Sequence, residues 1–291
     1  MNKIRLSPLP RKHVMVPAAL FLLVMLAVGS FADYPVSLTL YQGGNLPGRI
    51  LAGFGIYPIV LAVAAAGAML LAACSHKSLL TDICYWSGGG ILIAAGAVLS
   101  AVLPPRYCNV PLWGTGIIGA VFVGATVFGI LWLCRGVDKR MVLRVAAAFL
   151  LVVLADVLIV NVIKIPWGRP RMRLIAADAR ASFQPWWKPG TALRNTLTAA
   201  GIAAEEFKSF PSGHTANASA LMLLTLLPLL RPSLARHQTA LFLTGFAWTL
   251  LVAFSRVIMG AHFITDTAVG FCVGLFSLAA VCRLLFPSQK T

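Results

Sequence analysis

Residues 141–171 have the sequence MVLRVAAAFLLVVLADVLIVNVIKIPWGRPR, a long apolar run that ends in a cluster of cations, prolines and one glycine. A helix needs about 20 predominantly apolar residues to cross the hydrocarbon core of a bilayer. The run over 141–163 has that length, and the prolines and glycine that follow stop the helix just after Lys164. The stretch predicts a membrane-spanning helix that places cations at one membrane surface.

Similar apolar runs recur along the chain and predict about eight spans, within a range of six to eight. Lipid offers no partner to unpaired backbone groups, so each span is expected to be a helix. The predicted spans are residues 14–33, 51–73, 85–104, 113–134, 141–163, 213–230, 238–258 and 264–286. The third is the weakest, because Ser87 and the three glycines after it disfavour a helix at its start. The predicted fold class is an all-α, polytopic transmembrane helical bundle.

The composition of the 291-residue chain excludes an ordinary soluble domain. Hydrophobic residues make up 59% of the chain and charged residues 11%, whereas soluble domains contain roughly 25% charged residues. The net charge of +16 would suit nucleic acid, but the basic residues lie mainly between apolar runs. That distribution is typical of membrane orientation and of contact with anionic headgroups. We expect membrane lipids as partners, with no nucleic acid and no obligate protein partner.

The short gaps between spans predict an orientation, because cytoplasmic loops carry an excess of Lys and Arg. If the N-terminus is cytoplasmic, the cations on that side are Lys77, Arg135, Lys139, Arg140, Arg231, Arg236 and Lys290, whereas the short outer gaps hold only Arg49, Arg106 and Arg256. Both termini are therefore predicted to be cytoplasmic, in an inner (plasma) membrane. Lys3 and Arg5 precede an apolar run as in a signal peptide, but its length and the later spans favour an uncleaved first helix.

The one long gap, residues 164–212, falls on the predicted outer side and is strongly basic. Its cations are Lys164, Arg169, Arg171, Arg173, Arg180, Lys188, Arg194 and Lys208. Long loops are translocated largely regardless of charge, so the topology stands. A cationic loop on this side indicates an anionic ligand.

Pro211-Ser212-Gly213-His214 marks the point where this loop meets the next apolar run. Serine is a preferred N-cap, and glycine lets a ligand approach the backbone. The free N–H groups and the dipole of a helix N-terminus form an anion site, which His214 can also reach. The alternative is a capped helix with an incidental histidine, and this segment alone does not separate the two.

A third polar segment, residues 255–266, lies where the last two spans meet. His262 and Asp266 are four residues apart, which places them on one face of a helix. A carboxylate there can accept from one ring nitrogen, fix the tautomer and leave the other nitrogen as a nucleophile. The alternative is an ion pair that joins a helical hairpin. Arg256 nearby favours a catalytic site.

Taken together, the three segments resemble the type 2 phosphatidic acid phosphatase (PAP2) superfamily, in particular its bacterial membrane lipid phosphatases, whose pattern is K-x6-R-P, P-S-G-H and S-R-x5-H-x3-D. The second and third elements match at every fixed position. Lys164 and Arg171 match the first, although Met172 replaces the proline and an Arg169-Pro170 pair lies two residues earlier. The spacing of six residues after Lys164 favours Arg171 over Arg169 as the phosphate-binding arginine. The resemblance predicts a motif-free N-terminal unit at 1–140 and a catalytic unit at 141–291.

The resemblance implies a phosphatase that acts on a lipid at the outer face without a metal or other cofactor. His262 would form a phosphohistidine, Asp266 would hold its tautomer, and His214 would act first as acid and then as base. The phosphate-binding residues would be Lys164, Arg171, Ser212, Gly213 and Arg256.

The sequence leaves the substrate and the acceptor open. Undecaprenyl diphosphate, phosphatidylglycerophosphate, phosphatidic acid and lipid A phosphates all present a suitable phosphate. A phosphotransferase that uses the same phosphohistidine has the same motifs. A non-enzymatic anion or lipid transporter is more distant, because transporters often show internal repeats and helices broken near the midplane. Here no clear repeat is visible, and the polar motifs lie at the predicted helix ends.

Overall fold

The computed structural model describes residues 7–74 and 78–287, all of which form helices, turns or irregular chain. Lys3, Arg5, Lys77 and Lys290, which entered the topology prediction, lie outside the described residues. The α-helices are α1 (Lys12–Leu40), α2 (Leu46–Phe54), α3 (Tyr57–Ala72), α4 (Leu79–Val102), α5 (Leu112–Leu133), α6 (Lys139–Trp167), α7 (Met172–Ala177), α8 (Thr191–Ala199), α9 (Gly213–Ser219), α10 (Gln238–Ile258) and α11 (Ile264–Leu285). Short 3-10 helices occupy Pro104–Arg106, Ala204–Phe207, Ala220–Leu229 and Pro232–His237.

Within the described ranges, seven helical stretches are long and apolar enough to cross a membrane. The predicted polytopic helical bundle is therefore confirmed. The predicted span at 213–230 differs from the others, because α9 is followed directly by the 3-10 helix Ala220–Leu229. At about 1.5 Å per α-helical residue and about 2 Å per 3-10 residue, this segment still extends roughly 30 Å.

The glycine run at 88–90 does not interrupt α4, contrary to the weakness predicted there. Gly89 faces Gly67 of α3 so closely that a Cβ on either residue would lie under 3 Å from the carbonyl oxygen of the other. Gly96 meets Ala64 one layer further along. Small residues let membrane helices approach closely, and a helix in lipid keeps its backbone bonds satisfied. The glycines therefore serve packing between α3 and α4.

The two predicted units share one apolar core. Met69 of α3, Phe149 of α6 and Leu226 of the 3-10 segment are buried in a single cluster. Helix α3 packs against α4, α5 and α6, while α1 packs against α11. The boundary near residue 140 stays a prediction about motifs, since packing is continuous across it.

The long loop, residues 164–212, folds into a compact layer at one end of the bundle. It contains α7, α8 and the 3-10 helix Ala204–Phe207, and it has a small core of Leu174, Ala181, Leu197 and Phe207. The indole of Trp186 donates to Ser30 Oγ at 2.9 Å, which ties the loop to α1. The loop thus has fixed positions against the ends of the helices that carry the motifs.

Candidate active site

Five of the eight predicted site residues line one cavity of about 720 Å³: Lys164, Arg171, His214, Arg256 and His262. They come from separate elements, because α6 and α10 end here, α9 and α11 begin here, and the long loop crosses between them. The predicted convergence of the three motifs is thus present in the structure. Of the other three, Asp266 lies beside His262, and Ser212 and Gly213 begin α9.

The sequence left two candidates, Arg169 and Arg171, for the phosphate-binding arginine of the first motif. The structure gives them different surroundings. Arg171 lines the cavity and is 9% exposed. Arg169 is fully buried. Its acceptors are the Asp33 carboxylate (2.8 Å), the Gln184 carbonyl (2.8 Å), Thr265 Oγ1 (2.9 Å) and the Asp266 carboxylate. These bonds use four of its five N–H groups, so Arg169 holds protein carboxylates whereas Arg171 faces the cavity.

The tautomer of His262 is set by a backbone carbonyl. Its Nδ1 lies 2.5 Å from the carbonyl oxygen of Ser209, and a carbonyl can only accept. The proton of the neutral ring therefore sits on Nδ1, and Nε2 carries a free lone pair. Asp266 Oδ2 is 3.9 Å from Nδ1, which is beyond hydrogen-bond length.

Asp266 acts on the turn around His262 and not on the ring directly. His262 precedes α11 and is outside the helix, so the two residues do not share a helical face. Asp266 Oδ2 accepts from Ser209 Oγ at 2.5 Å and from the Phe263 N–H at 2.8 Å. Its Oδ1 accepts from Arg169. The carboxylate thereby fixes the Ser209 carbonyl that orients the histidine.

His214 faces His262 across the cavity, with ring centroids 6.5 Å apart. The ring of Tyr107 packs edge-on against His214 at 5.2 Å. His214 Nε2 is buried and has no hydrogen-bond partner among the described residues. A buried, unpaired ring nitrogen is costly unless a ligand satisfies it, which indicates that a polar group of a ligand binds beside it.

The start of α9 is built as the capping sequence predicts. Ser212 Oγ accepts from the Thr215 N–H at 3.3 Å and lies 2.9 Å from Thr215 Oγ1. A Cβ added at Gly213 would lie 3.6 Å from Lys164 Nζ, so this amine reaches the helix N-terminus. The Ser212 hydroxyl is occupied with capping, and its predicted contact with phosphate stays a prediction.

Arg256 is held by the N-terminal half of the chain. It is 2% exposed, its Nη2 donates to the Gly48 carbonyl of α2, and its Nε donates to Ser255 Oγ at 3.2 Å. The other guanidinium N–H groups have no acceptor within residues 7–74 and 78–287, so they remain for a ligand in the cavity.

The cavity is strongly cationic. Its lining contains six basic side chains, Arg49, Arg106, Lys164, Arg171, Arg173 and Arg256, and one carboxylate, Glu205. Burial, together with the charges of Lys164 and Arg171, lowers the pKa of His262 well below its ordinary 6.5. Partial burial acts to raise the pKa of Glu205, but Lys208 and Arg171 prevail and lower it. At neutral pH the site therefore pairs an uncharged His262 with a field that attracts anions.

Several contributors were not found from the sequence. Asp33 lies in an apolar helix, and a single acidic residue inside a span was the available signal. Ser209 precedes the P-S-G-H element by two residues and carries no pattern of its own. Arg49 and Tyr107 belong to the half without motifs. In the described part of the chain, no three His, Cys, Asp or Glu side chains cluster as metal ligands.

Comparison with known proteins places these motifs in a family. The PAP2 superfamily profile matches residues 145–290. Phosphatidylglycerophosphatase B of Bacillus subtilis (strain 168) is 36% identical over 78 residues, which is 26% of this chain and 38% of that protein. No solved structure is significantly similar. The profile covers half of the sequence and includes His214, His262 and the three motifs. The chain therefore belongs to the PAP2 superfamily.

Proposed function

We propose that this protein is an integral membrane phosphatase that hydrolyses a lipid phosphate or diphosphate through a phosphohistidine on His262. The observation that carries the proposal is the hydrogen bond from His262 Nδ1 to the Ser209 carbonyl, which leaves Nε2 with its lone pair inside a cavity of fixed cations. Family membership supports the class of reaction, and the related phosphatidylglycerophosphatase supports a lipid substrate.

In the first step, His262 Nε2 attacks phosphorus while the bond to the leaving oxygen breaks. Lys164, Arg171 and Arg256 stabilise the charge on the remaining phosphoryl oxygens, which is the larger part of catalysis in phosphoryl transfer. His214 donates a proton to the leaving oxygen. The negative charge of a bound phosphate favours the imidazolium form that this donation requires.

In the second step, water attacks the phosphohistidine and the nitrogen–phosphorus bond breaks. His214, now neutral, accepts a proton from the water as it attacks. Phosphate leaves, and the proton stays on His262 Nδ1 throughout, donated to the Ser209 carbonyl. Asp266 supports the charged ring through Ser209, whose hydroxyl donates to the carboxylate and whose carbonyl accepts from the ring. No metal ion is assigned a part in either step.

The distribution of cations supports a site on the extracytoplasmic side. At the opposite end of the bundle from the cavity, Arg231 stacks on Trp132 and Lys139 on Tyr85. Arg135, Arg140 and Arg236 belong to the same helix ends. Since cytoplasmic surfaces carry the excess of Lys and Arg, we propose cytoplasmic termini, an inner (plasma) membrane and an outward-facing cavity.

Phosphate release from a panel of lipids tests the proposal. Purified protein in detergent, with EDTA present, should release phosphate from at least one of undecaprenyl diphosphate, phosphatidylglycerophosphate, phosphatidic acid and lipid A. His262→Ala should abolish release, and His214→Ala should remove most of it while a phosphoenzyme accumulates. Normal turnover by His262→Ala would overturn the nucleophile, and complete loss with EDTA would overturn metal-free chemistry.

A phosphotransferase with the same phosphohistidine is the second candidate, because the cavity is large enough to admit a lipid hydroxyl in place of water. The two differ in the acceptor. Phosphate release that falls while a phosphorylated second lipid appears, on adding that lipid, would identify the transferase.

A further inference from the structure

One wall of the cavity comes from outside the part of the chain that matches the family. Arg49 at the start of α2, Arg106 at the end of the 3-10 helix after α4, and Tyr107 beside it all line the same cavity as the two histidines. The family profile begins at residue 145. The proposed phosphoryl transfer uses none of these residues.

Arg49 is fixed in place by its neighbours. Its Nε donates to the Tyr107 carbonyl at 2.9 Å and its Nη2 donates to Asn109 Oδ1 at 3.0 Å. The Cys108 thiol lies 3.1 Å from the Arg49 carbonyl, which anchors the backbone. These bonds use two of the five guanidinium N–H groups. The remainder form a pre-oriented donor set, and pre-orientation lowers the entropic cost of binding.

Arg106 adds a second cation at the open side of the same wall. Its side chain is exposed, whereas Arg256 is 2% and Arg171 9% exposed. The cavity therefore has a buried cationic floor, formed by Arg171 and Arg256. It also has a more accessible cationic rim, formed by Arg49 and Arg106. Tyr107, next in the chain, packs on His214, so the rim adjoins the group that meets the leaving oxygen.

In the part of the chain that the structure describes, no carboxylate balances the charges of the rim. Glu206 pairs with Arg173 at 2.6 Å, and Glu205 pairs with Arg171 at 2.7 Å. Neither Arg49 nor Arg106 has a carboxylate partner in residues 7–74 and 78–287. If a phosphomonoester binds to the cations of the floor, Arg49 and Arg106 have no anion to bind. They nevertheless lie on the side of the cavity where the leaving group is expected.

We propose that Arg49 and Arg106 form a second anion subsite, which binds a further phosphate group between the scissile phosphate and the lipid tails. The inference rests on the proposed function and narrows its substrate to lipids with two phosphates in the headgroup. Lipid diphosphates and headgroups that combine a phosphodiester with a phosphomonoester share this chemistry. A lipid that carries a single phosphomonoester occupies only the floor and leaves the second subsite empty.

The test compares matched lipids and matched variants. Phosphate release is measured from a polyprenyl diphosphate and the monophosphate of equal chain length, and from phosphatidylglycerophosphate and phosphatidic acid. Arg106→Gln removes a charge whose side chain makes no hydrogen bond within the described residues. Arg49→Gln is accompanied by Arg49→Lys, which keeps the charge. Arg180→Gln is the control, since Arg180 pairs with Asp178 in the outer loop and does not line the cavity.

Arg49→Gln and Arg106→Gln should each lower kcat/KM for one or both two-phosphate lipids about tenfold or more, the size of a lost charge-assisted hydrogen bond. The same variants should change kcat/KM for the one-phosphate lipids by less than about twofold. Arg49→Lys should retain part of the preference for two-phosphate lipids. Arg180→Gln should leave kcat/KM unchanged for every lipid.

If Arg49→Gln and Arg106→Gln lower kcat/KM equally for one- and two-phosphate lipids, or lower it for none, the subsite is overturned. The phosphatase proposal would stay intact. If the unaltered protein releases phosphate from none of these lipids, the proposed function fails and this inference fails with it. A preference for the diphosphate over phosphatidylglycerophosphate would show that the two phosphates must be adjacent, and the reverse preference that they must be separated.

Discussion

The carboxylate of Asp33, in the first membrane helix, accepts a hydrogen bond from Arg169 Nη2 at 2.8 Å, and Arg169 in turn holds Asp266. Asp33 also accepts from the Thr265 N–H at 2.9 Å. A residue more than two hundred positions away in sequence thus fixes the start of α11. Because Arg169 is the buried cation between two buried carboxylates, removing it leaves their two negative charges facing each other without the cation between them.

Arg169→Gln should therefore destabilise the protein by about 3–5 kcal/mol, the usual cost of breaking a buried ion pair from one side. Thermal unfolding in detergent would show this as a clear fall in Tm. Arg169→Lys should not restore stability, since an ammonium cannot replace the planar fork. Arg171→Gln is the matched control, and it should lower kcat/KM with little change in Tm. If the two variants exchange these effects, the assignment of the arginines is reversed.

Asp266→Asn and Ser209→Ala should both lower kcat without a matching rise in KM. The Asp266 carboxylate accepts from Ser209 Oγ, and the Ser209 carbonyl accepts from His262 Nδ1, so both changes loosen the orientation of the nucleophile. The loss should be larger for Asp266→Asn, because Arg169 also loses a charged partner. Single-turnover kinetics of phosphoenzyme formation would separate this effect from binding. Unchanged formation rates in both variants would contradict the relay through Ser209.

The acid limb of kcat/KM should lie below pH 6.5. The pKa of His262 is lowered by burial and by Lys164 and Arg171, so the ring stays unprotonated as the pH falls through the ordinary histidine value. Lys164→Gln removes one of these charges and should move the limb upward. The unfolded chain takes up the proton first, so His262 also makes stability fall as the pH drops from 6.5 toward the lowered pKa. A limb at or above pH 6.5 in the unaltered protein would contradict this environment.

Glu205→Gln should tighten substrate binding. Glu205 is bonded to Arg171 at 2.7 Å and to Lys208 at 3.1 Å in the cavity wall, so an incoming phosphate competes with it for Arg171. Its side chain is 57% exposed, and exposed pairs contribute about 0.2–1 kcal/mol, so KM should fall by at most about fivefold. Inhibition by inorganic phosphate should strengthen in parallel. A rise in KM would show instead that Glu205 positions Arg171.

Gly270→Ala should reduce both stability and turnover. A Cβ at Gly270 would collide with the backbone carbonyl of Ser212, so the turn before His214 would have to move. Overpacking of this kind costs about 1–3 kcal/mol. Gly116→Ala in α5 is the control, since a Cβ there meets nothing within 4 Å. It should leave activity unchanged and Tm equal or higher; the same losses at both positions would refute the packing argument.

Much of this protein was predictable from the local sequence. Apolar runs of membrane-spanning length determined the helical bundle, because a chain in lipid has few other ways to satisfy its backbone. The long 164–212 loop and the three motif segments were visible for the same reason, since polar residues at the ends of apolar runs must lie near a membrane surface. Spacing alone also favoured Arg171, which the structure places in the cavity.

Tertiary structure decided the contacts that depend on long-range packing. Spacing of four residues suggested that Asp266 touches His262, but His262 lies before the helix and its partner is a carbonyl 53 residues away. The roles of Asp33, Arg49 and Tyr107 depend on how the N-terminal helices pack against the C-terminal ones. Sequence patterns report periodicity and local chemistry along one element, whereas the direction of a side chain across an interface is determined only when both elements are in place.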